Sequence, residues 1–571
     1  NKNRLSECVH WHMNLYQYIK REKQMRKQTK LAILVGAMSI AGAMTSFAAT
    51  GWQQENGTWV YYDKNEEKVS QKWQQSGEYW YYLDDMGDMA TDALIDDGNA
   101  TYYVDINGAM VKNRWVAIPN TNDYDENEPD QWWYYFGENG KAFKRSDSTT
   151  SDVTLKTING KKYAFDLEGR MLYGWVSQGE RLTDQDAWQN AKYYFGDEND
   201  GAMTTGWREI LVHDDNARTM EEQPNIDYWD TDQVRWFYFK ESGKKETDNL
   251  GKTINGKKYG FDEYGRMIAS WYTEATPSTA VSRSARADYT ESFMYFATPE
   301  DGAKSTKGWF KVVPGYFLNK GKWEEDGTAW YYADGKGHIS ANEIKSINGK
   351  KYAFDDKGGM ISGLGLFEMK LLDNGKYSTT EFVDKLGAGN KTVPYSTQEK
   401  FVDAIGKIHY SDFLSGKYRM MYFGDGKDGA QKYGKQTVKL DGEDRTFYFK
   451  EGGSNKGSGF NGIKDERLYI AGLNIRADQY DKYEVVVVDK SNDNQLVYKG
   501  TVGELLTMTG YVASVEEKDN KTTWKITTPN SNYQVKLLGS SGTIVKSGTK
   551  RDGEDYKIKV NNKVITSVTL E

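Results

Sequence analysis

Aromatic residues recur along this sequence at a regular spacing, and they are the side chains best suited to bind a ligand. After Gly51-Trp52, the positions Trp73, Leu94 and Trp115 follow at intervals of 21 residues. An aromatic face attracts a quaternary ammonium ion, which is charged but has no N–H donors, and each contact contributes about 0.5–2 kcal/mol. Sugar rings stack on the same flat faces. The spacing therefore predicts a row of weak sites for an organic cation or a carbohydrate, and a polymer that reaches several sites gains avidity.

Runs of three mostly aromatic residues lie between these positions and indicate the elements that hold them. They are Val60-Tyr61-Tyr62, Trp80-Tyr81-Tyr82 and Thr101-Tyr102-Tyr103, and each precedes an acidic turn. Adjacent residues of a strand point to opposite faces, so each run places rings on both sides of a strand. A period of about 20 residues is typical of arrays in which every unit buries one face against its neighbour. The sequence predicts an all-β solenoid of short β-hairpin repeats with inserted loops, followed by a C-terminal β-rich region.

A longer, composite repeat begins after residue 145. The segment 158–166 returns as 254–262 and again as 347–355, at intervals of 96 and 93 residues. Its Asn-Gly pair is flanked by β-forming residues and predicts a tight hairpin turn, because both residues tolerate positive φ. Long acidic or Ser/Thr-rich insertions such as 213–232 and 273–290 separate the aromatic strands between the copies.

The N-terminal residues have the features of an export signal. Met25–Lys30 is basic, an apolar stretch follows, and Ser46-Phe47-Ala48 provides small residues for cleavage after Ala48. Such a stretch is too short for a convincing membrane span, so we expect a secreted chain with no transmembrane segment after cleavage. The predicted organisation is an upstream segment 1–24, a signal peptide 25–48, regular repeats 49–145, composite repeats 146–460, and a region 461–571 that is either degenerate repeats or a small separate β-domain.

Charge and composition exclude several classes of function. The whole chain has a formal net charge of −8, and residues 1–48 hold eight Lys/Arg against two Asp/Glu, so the mature chain carries −14. This acidity argues against nucleic-acid binding, which needs a basic surface. Cys8 is the single cysteine, and it precedes the predicted cleavage site, so no disulfide framework or cysteine metal site is expected.

The sequence offers little for catalysis. After residue 48 it has three histidines, His213, His338 and His409, and it contains no metallopeptidase, Cys-His or Gly-x-Ser-x-Gly motif. Paired carboxylates for glycoside hydrolysis stay open, because acidic residues are abundant, but no large non-repetitive block exists to build a cleft around them. We therefore predict no catalytic residue, no metal and no cofactor.

The order Gly-Trp, polar stretch, Gly, aromatic triplet, Asp, Gly turn and Gly-Ala-Met resembles the cell-wall-binding, or choline-binding, repeat of Gram-positive surface proteins. Close relatives of that repeat bind glucan. Asn107–Met110 and Asp200–Trp207 match its second half, and the resemblance extends, with insertions, over 51–460. In that family the Gly-Trp tryptophan and the first and last residues of the triplet form cages between successive hairpins. Carried over residue by residue, the implied ligand-binding positions are Trp52, Trp73, Trp80, Tyr82, Tyr103, Trp115, Trp133, Tyr135, Trp330 and Tyr332.

The sequence also departs from the family pattern. In the three Asn-Gly-Lys-Lys copies a lysine replaces the first residue of the triplet, and Ala or Gly replaces the last: Lys162, Lys258 and Lys351, with Ala164, Gly260 and Ala353. A cation in place of an aromatic wall repels choline, so these repeats are expected to lack working cages. In the first block, Val60, Thr101 and Leu94 stand where aromatic residues are expected.

The resemblance implies a non-catalytic, secreted protein held at the cell wall by choline-bearing teichoic acid or by a glycan polymer. Two alternatives stay open. One is a wall hydrolase whose catalytic module would have to lie in 461–571. The other is a host-directed surface adhesin that uses the repeats as an anchor and binds a host protein or glycan through its loops.

Overall fold

The structure, a computed structural model, describes residues 50–98, 100–121, 128–146, 152–217, 231–275, 288–385, 410–440, 442–453, 455–478, 480–553 and 555–571. The predicted segments 1–24 and 25–48, and His409, lie outside the described residues. Two compact units are formed, one by 50–116 with 135–142 and the other by 117–134 with 143–571. Both consist mainly of antiparallel strands, so the predicted all-β hairpin fold is confirmed.

Pairs of short antiparallel strands make up the first unit. They are β1 (Gly51–Glu55) with β2 (Thr58–Tyr62), β3 (Lys72–Ser76) with β4 (Tyr79–Leu83), and β5 (Ala93–Asp96) with β6 (Thr101–Val104). A fourth pair, β7 (Arg114–Pro119) with β8 (Gln131–Phe136), contributes residues to both units. Each hairpin places the Gly-Trp position opposite a tyrosine: Trp52 faces Tyr61, Trp73 faces Tyr82, and Leu94 faces Tyr103.

Residues directly opposite each other in an antiparallel pair lie on the same face, and the face alternates along the strand. One face, here called the Trp face, carries the Gly-Trp tryptophan and the first and last residues of the triplet. In the second hairpin these are Trp73, Trp80 and Tyr82, since Gln75 faces Trp80. The opposite face, called the Tyr face, carries the middle residue of the triplet, Tyr81.

The Trp face of one hairpin packs on the Tyr face of the next. The Trp52 ring lies 5.4 Å from Tyr61 of its own hairpin and 5.3 Å from Tyr81 of the next, with both pairs edge to face. Trp73 repeats this arrangement at 5.2 Å from Tyr82 and 5.0 Å from Tyr102. Edge-to-face aromatic pairs contribute about 0.5–1.5 kcal/mol beyond the area they bury. Each tryptophan therefore joins two successive hairpins.

A backbone hydrogen bond accompanies every such junction in this unit. The Met89 N–H donates to the carbonyl of Trp59 at 2.7 Å, and the Met110 N–H donates to the carbonyl of Trp80 at 2.8 Å. The acceptor is always the first residue of a triplet, and the donor lies beyond the turn of the following hairpin. This bond fixes how far each hairpin is shifted along its neighbour.

The register corrects the first triplet. Trp59 occupies the position of Trp80, because Gln54 faces Trp59 as Gln75 faces Trp80. The aligned run is therefore Trp59-Val60-Tyr61, and the expectation that Val60 weakens this repeat is wrong. The 21-residue spacing carries the same information, because Trp59 precedes Trp80 by 21 residues.

The second unit continues with hairpins and small sheets. Its strands are β9 (Leu155–Ile158), β10 (Lys161–Ala164), β11 (Gly174–Ser177), β12 (Glu180–Arg181), β13 (Tyr193–Asp197), β14 (Asp200–Met203), β15 (Gly206–His213), β16 (Asp232–Phe239), β17 (Asn249–Ile254), β18 (Lys257–Phe261), β19 (Ser270–Tyr272), β20 (Met294–Phe296), β21 (Gly308–Val312) and β22 (Ala329–Ala333). The order in the four-stranded sheet is β12-β11-β13-β14, and β9 pairs with β10, β15 with β16, β17 with β18, β19 with β20 and β21 with β22.

Two wider sheets follow. The first has the order β25-β24-β23-β27-β26-β28, formed by β23 (Glu343–Ile347), β24 (Lys350–Phe354), β25 (Met360–Ile361), β26 (Gly363–Leu371), β27 (Tyr377–Lys385) and β28 (Tyr418–Phe423). The second has the order β29-β30-β33-β32-β31, formed by β29 (Gly434–Leu440), β30 (Glu443–Phe449), β31 (Gly462–Lys464), β32 (Arg467–Ile470) and β33 (Leu473–Asn474). Short helices of this chain include α1 (Ala187–Asn190), α2 (Lys320–Glu324), α3 (Tyr410–Ser415) and α4 (Val502–Thr507).

The Asn-Gly turns form as predicted. Asn159 and Gly160 join β9 to β10 with φ of 47° and 80°, and Asn255 and Gly256 join β17 to β18 with φ of 49° and 82°. The third copy, at Asn348 and Gly349, has φ of 49° and 78°. Positive φ at both central residues gives the twist that a two-residue hairpin turn requires.

The C-terminal strands build a different arrangement. They are β34 (Tyr483–Asp489), β35 (Gln495–Gly500), β36 (Val512–Lys518), β37 (Lys521–Ile526), β38 (Tyr533–Gly539), β39 (Gly548–Asp552), β40 (Tyr556–Asn561) and β41 (Val564–Leu570). A three-stranded sheet, β35-β34-β38, and a five-stranded sheet, β36-β37-β41-β40-β39, share one core that includes Val487, Leu537 and Val568. The other face of β34 packs on Leu468.

Among the helices of the described residues, none combines the length and apolar character of a membrane-crossing segment.

Gly265 shows how tightly successive turns are packed, and it gives a stability test. It has φ of 89°, and a Cβ at this position would lie 2.8 Å from the backbone oxygen of Glu246. Gly256, in the turn of the same hairpin, has φ of 82° and nothing within 4 Å of such a Cβ. We expect Gly265→Ala to lower the free energy of unfolding by about 2–4 kcal/mol, against about 1 kcal/mol for Gly256→Ala. Urea unfolding followed by tryptophan fluorescence measures both, and equal losses would contradict this packing.

Candidate ligand-binding cages

Two open aromatic cages lie in the first unit. The first consists of Trp52, Trp59 and Tyr61 on one Trp face, closed by Tyr81 of the next hairpin. Trp59 is 42% exposed, so its ring forms the open side of the cage while Trp52 is half-buried. Three or four aromatic rings around one opening attract a quaternary ammonium ion, because the ion is drawn to the ring faces.

The second cage repeats the first, one hairpin further on. Trp73, Trp80 and Tyr82 share a Trp face, and Tyr102 closes it. Trp80 is 36% exposed. Burial raises the pKa of Tyr82 further above physiological pH, at which an ordinary tyrosine hydroxyl is already neutral. The sequence prediction named Trp52, Trp73, Trp80 and Tyr82, and the structure brings all four into these two cages.

The third hairpin lacks a cage of this kind. Leu94 faces Tyr103, so a leucine replaces the tryptophan of the other hairpins. The first residue of the triplet is Thr101, which is not a tryptophan either. The Tyr103 ring stacks on Phe136 at 5.9 Å, and its hydroxyl donates a hydrogen bond to Asp92. Burial, together with this hydrogen bond, raises the pKa of Tyr103. This predicted site residue is therefore engaged with the protein itself.

Of the remaining predicted residues near β7 and β8, Trp115 and Tyr135 lie together and Trp133 belongs to the other unit. The Trp115 and Tyr135 rings are 5.2 Å apart in the first unit, edge to face. In the second unit the Trp133 carbonyl accepts a hydrogen bond from the Met171 N–H at 2.7 Å. That bond has the same form as the inter-hairpin bonds of the first unit.

The second unit contains two cages of closely matching geometry. In one, Trp207 lies 6.3 Å from Trp236, 5.2 Å from Tyr238 and 4.8 Å from Tyr259 of the next hairpin. In the other, Trp309 lies 6.5 Å from Trp330, 5.3 Å from Tyr332 and 4.8 Å from Tyr352. The predicted residues Trp330 and Tyr332 lie in the second of these cages.

Sequence reasoning missed Trp59, Trp207, Trp236, Tyr238 and Trp309. The dipeptides Gly206-Trp207 and Gly308-Trp309 were an available signal, because they repeat Gly51-Trp52. Long insertions between the paired strands hid the partners: β15 ends at His213 and β16 begins at Asp232.

Where lysine replaces the first aromatic residue, no aromatic cage is built. Lys162, Lys258 and Lys351 occupy the Trp80 position, opposite Thr157, Thr253 and Ser346. The small residue at the end of each triplet is covered by a phenylalanine of the following hairpin. A Cβ on Gly260 would lie 2.6 Å from the Phe296 ring, Ala164 shares a core with Phe195, and Ala353 shares one with Phe423. The space beside these three small residues is therefore filled by core.

The ring of Trp175, another tryptophan of this type, is in contact with a cation of the protein itself, the ammonium group of Lys245. The ammonium group of Lys245 lies 5.3 Å from the centre of the Trp175 ring and 5.9 Å from that of Phe237, and it donates a hydrogen bond to the carbonyl of Trp188. Burial lowers the pKa of Lys245 to about 8. Lys245 stands where Met267 stands in the next repeat, since the two form equivalent bridges to Phe239 and Phe261.

These features define an all-β array in which tryptophans between hairpins form aromatic cages, some open and some filled from within. Residues 69–115, which include the second and third hairpins, match the family model of the choline-binding repeat. This part of the chain is thus similar to the choline-binding repeat, as the sequence pattern indicated.

Three streptococcal proteins are among those with similar sequence or structure. The chain is 28% identical over 370 residues to glucosyltransferase-S of Streptococcus mutans, a match that covers 59% of this chain and 23% of that protein. The modular autolysin LytC of Streptococcus pneumoniae aligns at 17% identity and a TM-score of 0.29, covering 57% of this chain and 56% of LytC. CbpJ of S. pneumoniae aligns at 18% identity and a TM-score of 0.31, covering 72% of this chain and all of CbpJ. The chain thus spans about a quarter of the glucosyltransferase and a little over half of LytC.

The buried Lys245 predicts a distinctive pH dependence of stability. Its pKa is about 8 in the folded chain and has its ordinary value of 10.5 in the unfolded chain, so the unfolded chain binds more protons between these values. The free energy of unfolding should therefore rise from pH 8 to pH 10, by about 2 kcal/mol more in the wild type than in Lys245→Met. Urea unfolding at pH 7, 8, 9 and 10 measures the difference. Parallel curves for the two proteins would show that Lys245 is not desolvated.

Proposed function

We propose that this protein binds choline-bearing or glycan polymers of a bacterial cell envelope through its aromatic cages, and that it does so without catalysing a reaction. The observation that carries the proposal is the pair of open cages around Trp52 and Trp73, each with an exposed tryptophan at its mouth. The family match over residues 69–115 supports choline as the ligand, because it includes Trp73, Trp80 and Tyr82.

Weak cages in an array suit a polymer. Each ring contributes about 0.5–2 kcal/mol to holding an ammonium ion, so one cage alone binds weakly. Several cages that meet one teichoic acid or glucan chain raise the overall affinity, because the later contacts form within the same complex. The implied location is outside the cell, at the wall or cell surface, and the export signal predicted over 25–48 agrees with this.

The ligand is tested by retention of the mature chain, 49–571, on a choline-type resin and on insoluble glucan, with elution by free choline. Retention on the resin and release by choline is the expected result. Binding to glucan without binding to the resin would keep the polymer-binding role and change the ligand. Failure on both would overturn the proposal.

The non-catalytic part is tested by incubating the mature chain with purified peptidoglycan and with glucan. We expect no release of soluble fragments. Release that depends on the chain would overturn this part and favour the wall-hydrolase alternative.

The exposed cage tryptophans separate ligand binding from folding. Trp59→Ala and Trp80→Ala each remove a wall from one open cage, and we expect each to weaken binding at its own cage by about 2- to 30-fold, with little change in stability. Tyr79→Ala is the matched control, because Tyr79 is 58% exposed but lies opposite Ser76 on the other face. The choline concentration that elutes each variant from the resin measures the effect. Equal elution of Trp80→Ala and Tyr79→Ala would contradict the assigned face.

A further inference from the structure

The cages around Trp207 and Trp309 match closely in their rings but differ in the charge beside them. Four ring-to-ring distances from the central tryptophan agree within 0.2 Å between the two cages. They run from Trp207 to Trp236, Tyr238, Tyr259 and Phe261, and from Trp309 to Trp330, Tyr332, Tyr352 and Phe354. On the Trp face of the first, Glu209 stands directly opposite Trp236. In the second, Lys311 stands opposite Trp330.

Glu209 makes the first cage favourable for a cation. Its side chain is exposed, and within the described part of the chain it has no ion-pair or hydrogen-bond partner. Cross-strand neighbours are about 5 Å apart at their Cβ atoms, so the Glu209 carboxylate is within reach of the Trp236 ring. A negative charge at the mouth of an aromatic cage adds to the attraction that the rings already exert on an ammonium ion.

Lys311 has the opposite effect on the second cage. Its ammonium group lies 6.0 Å from the centre of the Trp330 ring, so the protein already places a cation over that face. A quaternary ammonium ligand would be repelled by this charge and would compete with it for the same ring. A neutral sugar would meet no such repulsion, and its hydroxyl groups could accept hydrogen bonds from the ammonium group.

A polar cavity adjoins Trp330 and is suited to a sugar. Its volume is about 200 Å³, and its lining includes Lys311, Asn319, Lys322, Asp355 and Ser362 beside the tryptophan. Asn319 and Lys322 come from the insertion between β21 and β22, which carries α2. Among the residues whose placement is described, neither the Lys311 ammonium group nor the Ser362 hydroxyl has a hydrogen-bond partner, so both are available to ligand hydroxyls.

We propose that the second unit sorts its ligands by charge, so that the Trp207 cage binds a quaternary ammonium group and the Trp309 cage with its cavity binds a neutral sugar ring. This inference rests on the proposed envelope-binding function and adds that one chain binds both kinds of polymer group. Glu209 and Lys311 are the residues that decide between them. Both are exposed, so their substitution leaves the stacking of the hairpins intact.

The test follows single indole groups in the mature chain with ¹⁵N-labelled tryptophan, assigned by Trp236→Phe and Trp330→Phe. In the wild type we expect choline to shift the Trp236 indole signal and isomaltotriose to shift the Trp330 signal. Glu209→Gln should weaken the choline response of Trp236 by about 2- to 5-fold, and Glu209→Lys by about 10-fold or more. Lys311→Glu should give Trp330 a choline response that the wild type lacks.

Arg208→Gln is the matched control, because Arg208 is exposed on the other face of the same strand, opposite Phe237. An equal choline response at Trp236 and Trp330 in the wild type would overturn charge sorting, as would an unchanged Trp236 response in Glu209→Lys. Retention of the same protein on the choline resin would then still uphold the envelope-binding function. Silence of both indoles, with resin retention intact, would overturn the inference and assign binding to other cages.

Discussion

The packing of each Gly-Trp tryptophan between two successive hairpins is the interaction on which the array depends. A two-stranded hairpin is marginally stable by itself in water, because it has two faces and no core. The Trp52 ring provides such a core, because it packs on Tyr61 of its own hairpin and on Tyr81 of the next. The hydrogen bond from Met89 to the carbonyl of Trp59 then fixes the offset between them. Folding and the proposed ligand binding therefore share one ring, whereas the outer tryptophans Trp59 and Trp80 are more exposed and contribute less to the packing.

Much of the fold could be predicted from the sequence, because its two signals are local. Alternation along a strand and the constant spacing from Trp52 to Trp73, Leu94 and Trp115 are sufficient for short hairpins, and Asn-Gly pairs locate the tight turns. The frame of the first triplet was missed, although Trp59 lies 21 residues before Trp80 and so carries the same spacing signal. Cross-strand pairing shows the frame directly, because Gln54 faces Trp59 as Gln75 faces Trp80. Domain limits and the ligand roles of the ten named residues stay predictions.

The cages of the second unit could be predicted only in part. Lysine at positions such as 258 showed that walls were missing, but the sequence did not show that a phenylalanine from the next hairpin covers the space beside Gly260. Likewise, nothing in the sequence places the ammonium group of Lys245 over Trp175, because 70 residues and an insertion separate them. Trp207 was overlooked for the same reason, since its partner Trp236 lies beyond a long loop.

Cages and core residues occupy equivalent places in the array, and this affects how the sequence of such a chain can evolve. An open site and a filled one occupy the same place between two hairpins and differ in a few side chains, as the cages around Trp207, Trp175 and the space beside Gly260 illustrate. Converting one into the other leaves the backbone and the stacking offset in place. The number of open cages can therefore be raised or lowered by a few substitutions, independently of the length of the array, and the scaffold itself need not be rebuilt.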